Sequence, residues 1–239
     1  MDYCCSVARR LARLRELEET LTAATPEALA VLDELFAPVL APGERPAVDL
    51  TLDLYRRKLL RSGENLETAE ASLRVEAAHD VELCVRRDAL AATLSRKLVH
   101  LYRTCRDRLD RQALALLGFD GHTPRRPQAV LEHSRGVATG LERLDQELDS
   151  PEWEKLRSLL KDEARDLAPQ IAELNRTILA VERQRQRAEE AAARRKEACD
   201  EFDRDYLEVG RVVEAILRMA GKHEEADRIH PSTRQLDRK

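Results

Sequence analysis

The residues best suited to metal chemistry are six histidines spread along 239 residues: His79, His100, His122, His133, His223 and His230. Glu76 and His79 form the one Glu-x-x-His pair in the chain. A di-iron carboxylate bundle needs two such pairs and two further inward-facing glutamates. The sequence therefore predicts no metal site and no cofactor.

Catalytic signatures are also missing from the sequence. It contains no H-E-x-x-H, no G-x-S-x-G, no phosphate-binding G-x-x-x-x-G-K and no dinucleotide-binding G-x-G-x-x-G. Without a glycine-rich loop, or a nucleophile beside a base, no residue stands out as catalytic. The sequence therefore predicts a protein that is not an enzyme.

The five cysteines are too irregularly spaced for a redox or zinc motif: Cys4, Cys5, Cys84, Cys105 and Cys199. Isolated cysteines on helices usually act as small buried hydrophobes in a reducing compartment. The opening residues do not resemble a signal peptide, and the chain has no apolar run of about 18 residues. These features predict a cytoplasmic protein.

The charge balance argues against nucleic acid as a partner. Lys plus Arg number 41 against 45 Asp plus Glu, which gives a net charge of -4, whereas nucleic-acid binders usually carry a basic excess. Arg9, Arg10, Arg13 and Arg15 crowd the first helix. They suggest either an anchor to a membrane surface or an acidic partner or, as we prefer, the solvated face of a helix that packs into the core.

Composition indicates an all-α fold. Aromatic residues make up 3% of the chain and charged residues 36%, with eight glycines and nine prolines. Few glycines and aromatics with many charges are typical of helical rods and not of sandwiches or barrels.

Prolines and glycines divide the chain into segments. Thr25-Pro26 predicts a helix start within the N-terminal region, and Pro169 predicts a kink or division near Leu167. The predicted segments, within one cooperative domain, are a helical pair (1–40), a linker (41–48), a first long helix (49–118), a tip turn with a short helix (119–149), a second long helix (150–221) and a short turn with a polar tail (222–239). Phe119 and Trp153 would form a small core at the tip or a docking site there.

The strongest pattern is a heptad seam in the second long helix. Apolar residues recur at alternating steps of three and four, which is typical of a coiled coil. The predicted self-association and seam residues are Leu167, Ile171, Leu174, Ile178, Val181, Arg185, Arg195, Phe202, Tyr206, Val209, Val213 and Ile216. Two arginines interrupt this seam, and a buried polar seam residue can fix the register of a coiled coil.

Folding the two long helices against each other predicts an elongated antiparallel coiled-coil hairpin, with short helices packed at its ends. Placing Leu117 near Glu152 sets Gly63 opposite Tyr206. In this register Arg195 would pair with Glu70 or Glu76, and Arg185 with Asp80 or Glu82.

The apolar face of the first long helix is wider than one neighbour would need. Val81, Leu83, Cys84, Val85 and Leu90 extend it beyond two stripes. We therefore expect a structural or interaction protein that self-associates as a dimer, bundle or filament, or that scaffolds protein partners. The alternative is a membrane-remodelling helical hairpin of the BAR or ESCRT-III-like type, for which the net charge is unfavourable.

Overall fold

A computed structural model describes residues 3–41, 44, 47–119, 121–147 and 151–229, without the side chains of 3–6, 144–147, 151–157, 159 and 164. Every regular element in this part of the chain is helical, which confirms the all-α fold. The helices are α1 (Tyr3–Phe36), a 3₁₀ turn (Ala37–Val39), α2 (Val48–Arg106), α3 (Arg111–Leu116), α4 (Pro127–Glu147), α5 (Pro151–Met219) and α6 (His223–Ile229).

The N-terminal region is one helix and not the predicted pair. α1 continues through Pro26, although this proline lacks the amide hydrogen of a normal helical residue. Leu17, Leu21, Ala24, Ala28 and Leu32 form one buried stripe across the proline. Burying that stripe outweighs the local preference for a break, because most helix stability in proteins comes from packing an apolar face. The hydroxyl of Thr25 donates to the carbonyl of Leu21.

The first long helix is shorter than predicted. α2 ends at Arg106, and a turn in which the Cys105 carbonyl accepts from the amides of Arg108 and Leu109 leads into α3. Asp110 caps α3, because its side chain accepts from the amide of Ala113 at 2.7 Å. This N-cap begins a new helix at a position that the prolines and glycines of the sequence do not mark.

Two of the described helices end at a glycine. Gly118 has φ +82° after α3, and Gly221 has φ +72° after α5. At the first site, the amides of Gly118 and Phe119 donate to the carbonyls of Ala115 and Leu114, respectively. Gly221 and Lys222 repeat this pair of bonds at the end of α5. Both ends are Schellman caps, which need a left-handed residue that glycine adopts without strain.

α5 is not divided at Pro169. The helix runs without interruption from Pro151 to Met219, and Leu167 and Leu174 are buried on either side of the proline. The short helix predicted after Pro124 is α4. Leu148, the side chain of Trp153, the side chains of Cys4 and Cys5 and the tail Pro231–Lys239 lie outside the described residues.

The chain divides into two compact units, and both α2 and α5 contribute to each of them. The first unit spans Met1–Val75 and Glu189–Lys239. It packs α1, the start of α2, the end of α5 and α6 around one apolar core. The largest fully buried side chains of this core are Leu32, Leu66 and Phe202.

The second unit spans Glu76–Ala188. Here α2 and α5 run antiparallel, because Glu76 contacts Gln184 while Arg86 pairs with Glu173. α3 and α4 complete a core at one end, whose buried members are Ala91, Leu94, Leu98, Leu101, Cys105, Leu117, Phe119, Val130, Leu131, Val137, Leu141, Leu160, Leu167 and Leu174. The ring of Phe119 packs on Tyr102 and His133, with centroids 5.5 and 6.0 Å apart.

Candidate interaction surface

The predicted seam residues lie at three levels of exposure. Ile171, Ile178 and Val181 are half-buried, and Arg185 is exposed. The others are buried within the core of their own unit: Leu167, Leu174, Arg195, Phe202, Tyr206, Val209, Val213 and Ile216. Burial within one chain leaves their part in self-association a prediction.

In the middle of α5 the buried positions lie one residue earlier in the sequence than the predicted seam positions. Gln184 is buried, whereas its neighbour Arg185, the predicted seam residue, is exposed. In the same way Ala191 is buried and Ala192, which continues the heptad repeat, is exposed. In this segment α5 packs against α2; half-buried Ile178 packs against the core of the second unit, whereas Arg185 is exposed. A helix with one neighbour buries a narrower stripe than a helix with two neighbours.

Gln184 joins the two helices of the second unit by hydrogen bonds. Its side-chain amide donates to the carboxylate of Glu76 at 2.6 Å and to the carbonyl of the same residue at 3.1 Å. The side chain of Gln184 is buried, so these bonds satisfy donors that water cannot reach. Sequence reasoning missed this residue because the heptad count placed it beside the seam.

The register is shifted from the predicted one. With Leu117 near Glu152, residue 70 would lie level with residue 199. In the structure Glu70 instead contacts Arg195, which lies one helical turn earlier in α5. The ring edge that approaches Gly63 belongs to Phe202 and not to Tyr206. A β-carbon at Gly63 would lie 2.6 Å from the side chain of Leu14 in α1. The glycine therefore allows α1, as well as α5, to pack closely against α2.

Arg195 forms the predicted ion pair with Glu70 inside the first unit. Its Nε lies 2.5 Å from Oε2 of Glu70, and the side chains are 8% and 11% exposed, respectively. Burial alone would raise the pKa of Glu70, but the hydrogen bonds and charges of Arg195 and Arg74 hold that pKa below its ordinary value. Glu70 is therefore ionised at neutral pH, and its pair with Arg195 joins α2 to α5 inside the first unit.

Polar contacts also tie α1 and α2 to α5 in the first unit. Arg10 donates through Nε and Nη2 to the two carboxylate oxygens of Asp203, at 2.7 and 2.6 Å. Buried Asp205 accepts from the hydroxyl of Ser62 and lies 3.1 Å from Nζ of Lys58. Arg10 thus serves internal packing, which supports the interpretation of α1 as a core-packing helix.

One surface of the second unit exposes several apolar side chains of α2. On α2, Ala77, Ala78, Val81, Cys84 and Val85 follow helical spacing, and we name them the α2 strip. Val81 is 63% exposed and Val85 is 65% exposed. Both alanines are exposed and Cys84 is a half-buried free thiol.

A second apolar strip lies on α5 of the same unit. Ile171 and Ile178 are half-buried at the edge of the second unit's core and Leu179 is 48% exposed, and we name these three residues the α5 strip. The buried residues that α2 contributes to the second unit's core begin at Ala91, and Ser95 donates to the carbonyl of Pro124, just before α4, at 3.4 Å. The α2 strip precedes these buried residues on the helix, and its Val81 and Val85 are exposed.

Metal ligands, thiols and clefts are the other places where chemistry could occur. They contain no group of three or more His, Cys, Asp or Glu side chains able to hold a metal ion. Burial raises the pKa of the Cys105 thiol to about 11, against a weaker opposing effect of Arg108, which makes it a poor nucleophile at neutral pH. A cleft of about 250 Å³ in the first unit is lined by Arg13, Glu16 and Tyr206 among others, and Arg13 is already paired with Glu16.

None of the described helices is long and apolar enough to cross a membrane. Comparison of the chain with protein families, with curated proteins and with solved structures gives no match. The function must therefore be inferred from the surface and the chemistry of the chain itself.

Proposed function

We propose that the chain is a non-enzymatic helical interaction protein that self-associates. The observation that carries this proposal is the α2 strip, where Val81 and Val85 are each more than half exposed at helical spacing. Contiguous apolar surface on a folded protein usually marks a contact with another molecule, because its burial removes apolar area from water. An elongated antiparallel hairpin built on α2 and α5 would present this strip along its side.

Scaffolding of other proteins belongs to the same proposal, because an apolar strip can serve either kind of contact.

The cytoplasm is the proposed compartment, since the described thiols Cys84, Cys105 and Cys199 are unpaired. The buried ion pair of Arg195 with Glu70 supports the proposed self-association in a different way. A buried polar pair between two helices can fix their register, as polar seam residues do in coiled coils.

Membrane remodelling has weaker support. A membrane-binding hairpin needs a basic surface and an amphipathic segment that lies on the bilayer. Arg10 of α1 is engaged with Asp203 and Arg13 with Glu16, which leaves fewer cations of this helix for anionic lipid.

Light scattering at increasing protein concentration tests the proposal. We expect the mass to rise from one chain toward a dimer or a larger assembly. A mass of one chain, near 27.2 kDa, at every concentration would overturn self-association. Co-sedimentation with vesicles that contain about one third anionic lipid separates the alternative, because a membrane-remodelling protein would pellet with them and the proposed protein would stay in solution.

A further inference from the structure

We infer that the occupant of the α2 strip is α5 of a second copy of this chain, in a two-fold dimer that joins the second units of both copies. This inference rests on the proposed self-association and adds the partner surface and its geometry. The contact pairs the α2 strip of each copy with the α5 strip of the other copy. Four helices then enclose the side chains that are exposed in one chain.

The two strips have matching chemistry and belong to one section of the molecule. Glu76 to Gln184 and Arg86 to Glu173 are contacts between α2 and α5 that bracket the α2 strip and, on α5, Ile178 and Leu179. Two antiparallel helices with an exposed apolar flank form half of a four-helix bundle. A second half is supplied by another copy, because a two-fold contact uses the same surface twice.

Charge decides which helix of the second copy faces α2. Residues 76–90 of α2 contain four acidic side chains and two arginines, namely Glu76, Asp80, Glu82, Asp88, Arg86 and Arg87. Residues 171–188 of α5 contain the reverse, namely Arg176, Arg183, Arg185, Arg187, Glu173 and Glu182. All four arginines of this α5 segment are exposed.

A two-fold axis can run parallel to the helices or perpendicular to them. A perpendicular axis sets α2 on α2 of the second copy, which brings two acidic segments together. A parallel axis sets α2 on the more basic α5 and keeps neighbouring helices antiparallel. Opposite charges across an interface select the partner and its register, whereas like charges oppose association. The charge pattern therefore favours the parallel axis.

Cysteine cross-linking between separately purified chains tests this geometry. One chain carries Val81→Cys and the other carries Ile178→Cys, both in a background of Cys4→Ser, Cys5→Ser and Cys84→Ala. We expect mild oxidation to give a covalent dimer in the mixture and little or none from either chain alone. A covalent dimer from Val81→Cys alone would contradict the inference, because it would place α2 on α2.

The outcomes separate this inference from the proposed function. If the wild type is dimeric by light scattering but the mixture does not cross-link, the surface is wrong and self-association stands. A wild type that is monomeric throughout overturns both. Charge reversal gives an independent measurement: Arg183→Glu with Arg187→Glu should weaken dimerisation at least about tenfold at low salt. Unchanged dimerisation in this variant would count against the pairing of α2 with α5.

Discussion

At the scale of single residues, the buried ion pair of Glu70 and Arg195 is the most informative contact in the first unit. Both side chains are nearly inaccessible, and Arg74 adds a second, more exposed cation at 3.3 Å from Glu70. Removing one member of such a pair leaves an uncompensated buried charge. Replacing both members by apolar residues removes that penalty.

Arg195→Leu should therefore lower the free energy of unfolding by about 3 kcal/mol. The double variant Glu70→Leu with Arg195→Leu should recover most of that loss, as read from urea unfolding followed by circular dichroism. Asp162→Ala is the control, because the pair of Asp162 with Arg165 is exposed and spans 3.7 Å. It should change the free energy by less than about 0.5 kcal/mol. A double variant less stable than Arg195→Leu would contradict this account.

The same pair predicts a dependence of stability on pH. The pKa of Glu70 in the folded chain is held below its ordinary value of 4.5 by Arg195 and Arg74, against the opposing effect of burial. Its ionised form therefore adds stability above pH 4.5, and this contribution is lost as the pH falls through the folded-state pKa. Glu70→Gln should differ from the wild type in urea midpoint at pH 7 and approach it at pH 3. An equal difference at both values would show that Glu70 is not the titrating group.

At the scale of elements, local signals located most helices but not all of their ends. The glycines that cap α3 and α5 were predictable, because a left-handed residue is needed there and few residue types adopt it. The division at Pro26 was wrong, since a proline signal is local whereas the buried stripe that carries α1 through it depends on α2 and α5. The end of α2 depended on Asp110, a capping residue that pattern counting did not weigh.

The heptad repeat of α5 predicted some of its buried residues correctly and others not. It identified the stripe shared by Leu167, Leu174 and Arg195, which faces α2. It could not decide whether Gln184 or Arg185 is buried, because that depends on the helices that surround α5, which its own sequence does not reveal. The wide apolar face of α2 was visible in the sequence, but only the structure separates half-buried Leu83 and Leu90 from exposed Val81 and Val85.

The packing of α4 gives a prediction with an internal control. A β-carbon at Gly140 would lie 2.7 Å from both the carbonyl oxygen of Leu116 and the α-carbon of Leu117, whereas one at Gly136 would meet nothing within 4 Å. Gly140→Ala should lower the free energy of unfolding by about 1–3 kcal/mol, because backbone must move to admit the methyl group. Gly136→Ala should raise it by about 0.5–1 kcal/mol through helix propensity alone.

Thermal melts of the two variants beside the wild type check this prediction. The melting temperatures should move in opposite directions. Two equal shifts would mean that α4 does not lie against the end of α3 as closely as the structure shows.

At the scale of the whole molecule, both compact units bury an apolar core and both also expose apolar side chains. In the first unit, α1 covers α2 and α5, and the core includes Leu66, Phe202 and Val209. In the second unit, the buried residues that α2 contributes to the core begin at Ala91, and Val81 and Val85 of the α2 strip before them are exposed. This unsatisfied surface is the reason for proposing a partner. The charge pattern of α2 and α5 is the reason for proposing a second copy as that partner.

Sedimentation velocity of the wild type beside Val81→Glu with Val85→Glu tests self-association through the α2 strip most directly. Leu54→Glu serves as the matched control, because Leu54 lies on the same helix and is 56% exposed. We expect the wild type and the control to sediment as dimers of the 27.2 kDa chain, and the double variant to sediment as one chain at the same concentration. A dimeric double variant would contradict the assigned surface, and a monomeric wild type would contradict self-association itself.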